Sequence, residues 1–220
     1  MSKAILFDMD GVLVDSEGVM LEAAAKALRS FGLEAVPEDF IPYIGMEAEI
    51  YLGKVMEKYG SKYSEDAKEH TYNVYGEIIS PENVCEYAPE MIRALRQNKI
   101  PFVICSGAVR SKIGHNLRIL GLHPDDFTAI VSGNDVVHNK PDPEIYRKGA
   151  ELIGVAPQDC IVVEDSLVGI RAGKASGAIT VGVGTTLTKE DFEKEGNADY
   201  YIKSLRELPE ILSQNGIYMK

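Results

Sequence analysis

Apolar residues follow two rhythms along this chain. Short unbroken runs occur at AILF (4–7), FVIC (102–105), AIV (129–131), CIVV (160–163) and ITVGV (179–183), with a weaker sixth at YYI (200–202). Runs this short, rich in Val and Ile and bounded by turn residues, predict strands buried on both faces. Segments in which apolar residues recur at helical spacing separate most of these runs. That alternation predicts βαβ units, and hence an α/β fold with a doubly wound, largely parallel sheet.

Residues 16–82 break the alternation, because no strand candidate lies among them. MLEAAAKALRSFG repeats Leu and Ala at helical spacing and stops at Gly32, and EAEIYLGKVMEKYG stops at Gly60. SEDAKEHTYNVYGEIIS opens with Ser64 and two acids, a helix start. The expected organisation is a Rossmann-like core of residues 1–15 and 83–220, with a smaller all-helical cap domain of residues 16–82 inserted after the first strand. The insert carries 13 Asp and Glu against 6 Lys and Arg, so it holds −7 of the net charge of −11. An acidic chain of this kind disfavours nucleic-acid backbones and anionic membranes as partners. No apolar stretch approaches the roughly 20 residues that span a bilayer, and the expected location is cytoplasmic. Cys85, Cys105 and Cys160 are odd in number and widely spaced, which points to reduced thiols. A compact acidic chain without long exposed apolar runs fits a monomer.

In an open parallel sheet, ligands bind beyond the carboxyl ends of the strands. The residues there are Asp8 and Asp10 after the first run, Ser106 and Gly107 after the second, the loop to Lys140 after the third, and Glu164 with Asp165 after the fourth. Side chains alternate along a strand, so Asp8 and Asp10 tend to face the same way, and two close anions call for a cation or a proton between them. Each feature also has an ordinary structural explanation. Asp before Gly punctuates turns, Ser-Gly is a common turn, Lys140 suits a solvated loop, and Glu164 and Asp165 suit a helix start. Their convergence at the strand ends of one chain goes beyond turn chemistry. His70, His115, His123 and His138 lack a two-ligand spacing and receive no function.

Together, DMDGVLVDS (8–16), Ser106 in ICSGA, Lys140 in NKPDPEIY and Glu164-Asp165 in VVEDSLVGIRAGKASG resemble the four ordered motifs of the haloacid dehalogenase superfamily. The branch is that of β-phosphoglucomutase-like phosphatases with a helical cap after the first strand. The resemblance covers essentially the whole chain. It implies that Asp8 is a nucleophile forming an aspartyl-phosphate and that Asp10 is the general acid and base. It also implies that Ser106, Gly107 and Lys140 bind the substrate phosphate. Mg²⁺ would be held by Asp8, the backbone carbonyl of Asp10, Glu164 and Asp165. Members that do not act on oxygen esters typically carry another residue in place of Asp10, so the expected reaction is hydrolysis of a small phosphate monoester. The glycines and alanines of GIRAGKASG are expected to let their helix pack closely on the sheet. Asp15 and Ser16 are expected to brace the chain leading to the insert.

A phosphomutase acting on a sugar bisphosphate is the alternative within that branch. It needs a cation in the cap loop, yet PYIGMEAEIYLG (42–53) offers Glu47 and Glu49 and no Lys or Arg. The preferred substrate is therefore a sugar or polyol with a single phosphate. A non-catalytic phosphoacceptor signalling domain is the remote alternative. It is disfavoured because that class is shorter, lacks the helical insert and needs no acid two residues beyond its phosphorylated aspartate.

Overall fold

In the computed structural model, residues 3–46 and 48–219 are described, with backbone only for Glu195 and Gly196. The chain divides into two compact units, Met1–Asp15 with Pro81–Lys220, and Ser16–Ser80. The return crossing falls at Ser80–Pro81, two residues before the expected one. The reason is that Pro81–Asn83 forms a 3₁₀ turn whose Asn83 carbonyl accepts the Asp15 N–H at 2.7 Å.

The larger unit is built on a six-stranded, all-parallel sheet in the order β3-β2-β1-β4-β5-β6. Its strands are β1 (Ala4–Phe7), β2 (Phe102–Cys105), β3 (Ala129–Val131), β4 (Cys160–Glu164), β5 (Ile179–Val183) and β6 (Tyr200–Ile202). Of these, β4 extends one residue beyond its apolar run, to Glu164. The helices of this unit are numbered after those of the smaller one, where α1 is Glu17–Ser30, α2 is Ala48–Lys58 and α3 is Glu65–Ile78. They are α4 (Ala88–Gln97), α5 (Arg110–Leu120), α6 (Glu144–Leu152), α7 (Leu167–Ser176), the single turn α8 (Lys189–Asp191) and α9 (Leu208–Gln214).

Strand residues alternate between faces, and in the inner strands both sets are buried. Leu6, Val103, Cys105 and Val162 pack with Ile145, Tyr146 and Ala150 of α6 and Ala172 of α7. Ile5, Phe7, Ile104, Ile161 and Val163 point the other way and are equally inaccessible. A sheet covered on both sides explains why its strands are continuous apolar runs rather than alternating ones. All three cysteines are free thiols. Among the described residues, no helix is long and apolar enough to cross a membrane.

The smaller unit is all-helical. Ala24, Ala25 and Leu28 of α1, Phe40, and Tyr51, Leu52, Val55 and Met56 of α2 form its core with Ala67 of α3. Ser64 caps α3, its side chain accepting the Ala67 N–H at 3.1 Å.

Close packing of α7 on the sheet depends on Gly173, where a Cβ would stand 2.8 Å from Thr180 Cγ2 and 3.0 Å from Val162 Cγ1. Gly114 in α5 faces open space instead. Gly114→Ala is therefore expected to stabilise the protein by about 0.5–1 kcal/mol through helix propensity. Gly173→Val, which overpacks the sheet, should cost about 1–3 kcal/mol. Urea unfolding midpoints of the two variants check both signs.

Candidate active site

Strand β1 lies between β2 and β4, so its carboxyl end sits where the strand order reverses direction, the position of ligand crevices in such sheets. The Asp8 N–H is still bonded to the Val163 carbonyl at 3.0 Å, which keeps Asp8 in the frame of the sheet. The chain then folds back sharply, the Met9 carbonyl accepting the N–H groups of Leu13 at 2.8 Å and Val14 at 3.1 Å. Gly11 makes that turn with φ +74°, and any Cβ there would overlap the Asp165 carboxylate. Only glycine meets both conditions.

Strand β4 ends on Glu164, followed by Asp165 and then Ser166, whose hydroxyl caps α7 by accepting the Gly169 N–H at 3.1 Å. Lys140 enters from the loop before α6 and joins Pro141 through a cis peptide bond. Its ammonium lies 2.7 Å from Asp8 Oδ1 and 2.5 Å from Glu164 Oε1. The loop is tied down by Glu144, which accepts the N–H groups of Val137 at 2.9 Å and His138 at 2.8 Å. Tyr146 of α6 donates its hydroxyl to Glu164 Oε1 at 2.7 Å. The N–H of Ser166 at 3.1 Å and its hydroxyl at 2.9 Å both donate to Glu164 Oε2. Thr186, beyond β5, donates to Asp165 Oδ2 at 2.6 Å.

The result is a buried group of acids. Asp8, Glu164 and Asp165 each place an oxygen within 4.8 Å of the others, with the Lys140 ammonium among them. Burial pushes the Asp8 carboxyl well above its usual range, and Glu164, Asp165 and Asp10 add to this against the pull of Lys140. Burial and the charge of Glu164 push Asp165 up to about 7. Burial would raise Glu164 as well, but Lys140, Tyr146 and Ser166 hold it below the usual carboxylate value. Lys140 is raised despite burial, by Asp8 and Glu164. With all three acids ionised, one ammonium would leave an excess of negative charge, and every donor is a hard oxygen. This donor set suits an oxygen-seeking divalent cation, and these residues could hold one.

The remaining predicted residues surround this group. Asp10 is held from α5, where Lys112 Nζ lies 2.8 Å and Asn116 Nδ2 3.2 Å from its Oδ1. Ser106 and Gly107 directly follow β2, the neighbour of β1. Ser106 is buried, and its oxygen accepts the Ala108 N–H at 3.1 Å within its own loop rather than meeting the acids. Asp15 is tied to the chain through its backbone, while its side chain is exposed. Sequence reasoning did not find Lys112, Asn116, Tyr146, Ser166 or Thr186. Of these, only Tyr146 and Ser166 lay inside the quoted motifs, and neither carried a chemical role there.

The sequence profile of haloacid dehalogenase-like hydrolases matches residues 2–177. The chain is 33% identical over 198 residues to the chloroplastic protein SUPPRESSOR OF QUENCHING 1 of Arabidopsis thaliana, covering 88% of this chain but only 19% of that relative's length. It is 30% identical over 218 residues to hexitol phosphatase A of Escherichia coli K12, covering 97% of this chain and 96% of the relative. Among solved structures, β-phosphoglucomutase of Clostridium difficile aligns with a TM-score of 0.78 at 26% identity, covering 98% of this chain and 97% of that one.

The raised value of Asp165 has a consequence for stability. A carboxyl near 7 when folded and near about 4 when unfolded makes the native state bind more protons in that window, so its contribution to stability falls as pH rises through it. With a chelator present, Asp165→Asn is therefore expected to melt above the wild type at about pH 8, and the difference should shrink towards about pH 5. Thermal melts across that range check the trend.

Proposed function

This chain belongs to the haloacid dehalogenase-like hydrolase family, and on that premise we propose that it is a magnesium-dependent phosphatase of small sugar or polyol phosphates. The observation that carries the reading is the buried trio Asp8, Glu164 and Asp165 gathered around Lys140 at the centre of the sheet's carboxyl edge. In this reading Asp8, the Asp10 carbonyl and Asp165 hold the metal, while Glu164, expected from the resemblance to join them, has both oxygens engaged by Lys140, Tyr146 and Ser166 and positions the lysine instead. Bound Mg²⁺ supplies the positive charge that offsets repulsion between a carboxylate nucleophile and a phosphate dianion. The upward push on Asp8 supports a need for such charge, since Lys140 alone does not keep its carboxyl in the ordinary range.

Asp8 attacks phosphorus, forming an acyl-phosphate as the ester P–O bond breaks, while Asp10 gives its proton to the departing alkoxide. Asp10, now ionised, takes a proton from water as that water attacks phosphorus, which releases phosphate and restores Asp8. Lys140, Ser106 and the Gly107 backbone hold the phosphoryl oxygens through both steps.

Likeness to hexitol phosphatase A along nearly the full length of both chains supports a sugar or polyol ester. Likeness to a β-phosphoglucomutase keeps phosphomutase as the second reading. Residues 42–53 contain no Lys or Arg to receive a second phosphate. Of the nearest cations, Lys54 pairs with Glu57 at 3.1 Å and Lys58 pairs with Asp39, so both are engaged within the helical unit. Glu49 lies in α2, while Glu47 falls outside the described residues. The balance favours an ester with one phosphate.

Phosphate release from a panel of hexitol, hexose and pentose phosphates is the test. Release is expected with Mg²⁺, should stop when EDTA removes it and should fall by about 10³-fold or more in Asp8→Asn. Conversion of β-glucose 1-phosphate to glucose 6-phosphate after bisphosphate priming, with no net phosphate release, would establish the mutase instead. In kcat/KM, which reports the step that expels the alcohol, Asp10→Asn is expected to lower alkyl phosphates by about 10²–10⁴-fold and p-nitrophenyl phosphate much less, because the nitrophenolate departs without a proton. Equal losses on both esters would remove Asp10 as the acid.

A further inference from the structure

We propose that Tyr146 is a positioning residue that holds the Lys140–Glu164 pair in register with Asp8. Its ring is completely buried in the core between α6 and the sheet, where an apolar side chain of the same shape would fill the space. Its hydroxyl needs a partner there, since a buried hydroxyl without one is costly. That partner is Glu164 Oε1, 2.7 Å away, the same oxygen that receives the Lys140 ammonium. The face of the ring also lies beneath the ammonium, 4.9 Å from Nζ to the centroid, so Tyr146 touches both members of the pair.

Glu164 has little freedom left. Its Oε1 accepts from Lys140 and Tyr146, and its Oε2 accepts from the N–H and hydroxyl of Ser166. These bonds fix the carboxylate on both edges, one from α6 and the other from the start of α7. Lys140 is thereby pinned 2.7 Å from Asp8 by a carboxylate that cannot rotate. Without the Tyr146 hydroxyl, Oε1 keeps the ammonium as its only partner. The pair can then turn about the Oε2 anchor and carry Nζ off its line to Asp8. The inference rests on the phosphatase reading only for the role given to Lys140.

The test uses Tyr146→Phe, Glu164→Gln and the double variant of the full chain. One measurement is the rate at which the Lys140 ammonium protons exchange with water, followed by ¹⁵N NMR without metal or substrate and assigned by their loss in Lys140→Met. The other is kcat/KM for p-nitrophenyl phosphate with Mg²⁺. Tyr146→Phe keeps the ring and its packing, and a circular-dichroism melt checks the fold. The expected result is exchange faster by about tenfold and kcat/KM lower by about tenfold in Tyr146→Phe, the range found when a buried partner of an active-site ligand is removed. In the Glu164→Gln background the same change should cost less than about twofold, because the hydroxyl acts through Glu164. Unchanged exchange in Tyr146→Phe, or an equal loss of kcat/KM in both backgrounds, overturns the proposal. A wild type that releases no phosphate while its ammonium exchange still responds to Tyr146→Phe overturns the phosphatase reading and leaves the positioning role intact.

Discussion

Packing three carboxylates around one ammonium in a buried crevice is the constraint on which the rest of this structure depends. Isolated from water, Asp8, Glu164 and Asp165 repel one another, and folding must hold them together at a cost. A loose framework would relieve the strain by letting one acid swing into solvent. The protein instead anchors each of them to a different element: Asp8 to the frame of β1, Glu164 to the end of β4 and the cap of α7, and Asp165 to Thr186 beyond β5. The continuous apolar strands and the tight seat of α7 supply the rigidity that this crowding requires.

That division of labour explains what was legible in the sequence. The four inner strands are buried on both faces, so each had to be a solid apolar run, and AILF, FVIC and ITVGV mark β1, β2 and β5 to the residue. The acids and the lysine were legible because a parallel sheet gathers the residues after its strands on one edge, whatever their distance along the chain. The supports of these groups were not. Lys112 and Asn116 reach Asp10 from the middle of α5, and Thr186 reaches Asp165 from a loop 21 residues further on. Such contacts are set by how elements dock, and neither spacing nor composition encodes them. Ser106 illustrates the opposite case. Its place after β2 was plain, and its oxygen accepts the neighbouring Ala108 amide in a local turn bond that orients the hydroxyl and leaves its proton free to donate.

Tyr146 and Ser166 lie between these extremes. Both sit within quoted motifs, yet their chemistry emerges only once α6 and α7 are seen to approach Glu164 from opposite edges. A carboxylate saturated with hydrogen bonds is a stiffer platform than one held by charge alone, because ion pairing has no strong angular preference while four directed donors do.

The position of β1 also bears on how the chain reaches its native state. Its partners on either side are β2, beginning at Phe102, and β4, beginning at Cys160. The four apolar residues of β1 therefore have no sheet neighbour until a hundred further residues have been synthesised, and only one until β4 follows. Contacts so distant in sequence make for slow assembly and leave a sticky strand open to wrong pairings meanwhile. During synthesis, β1 therefore emerges long before the two strands that bury its edges.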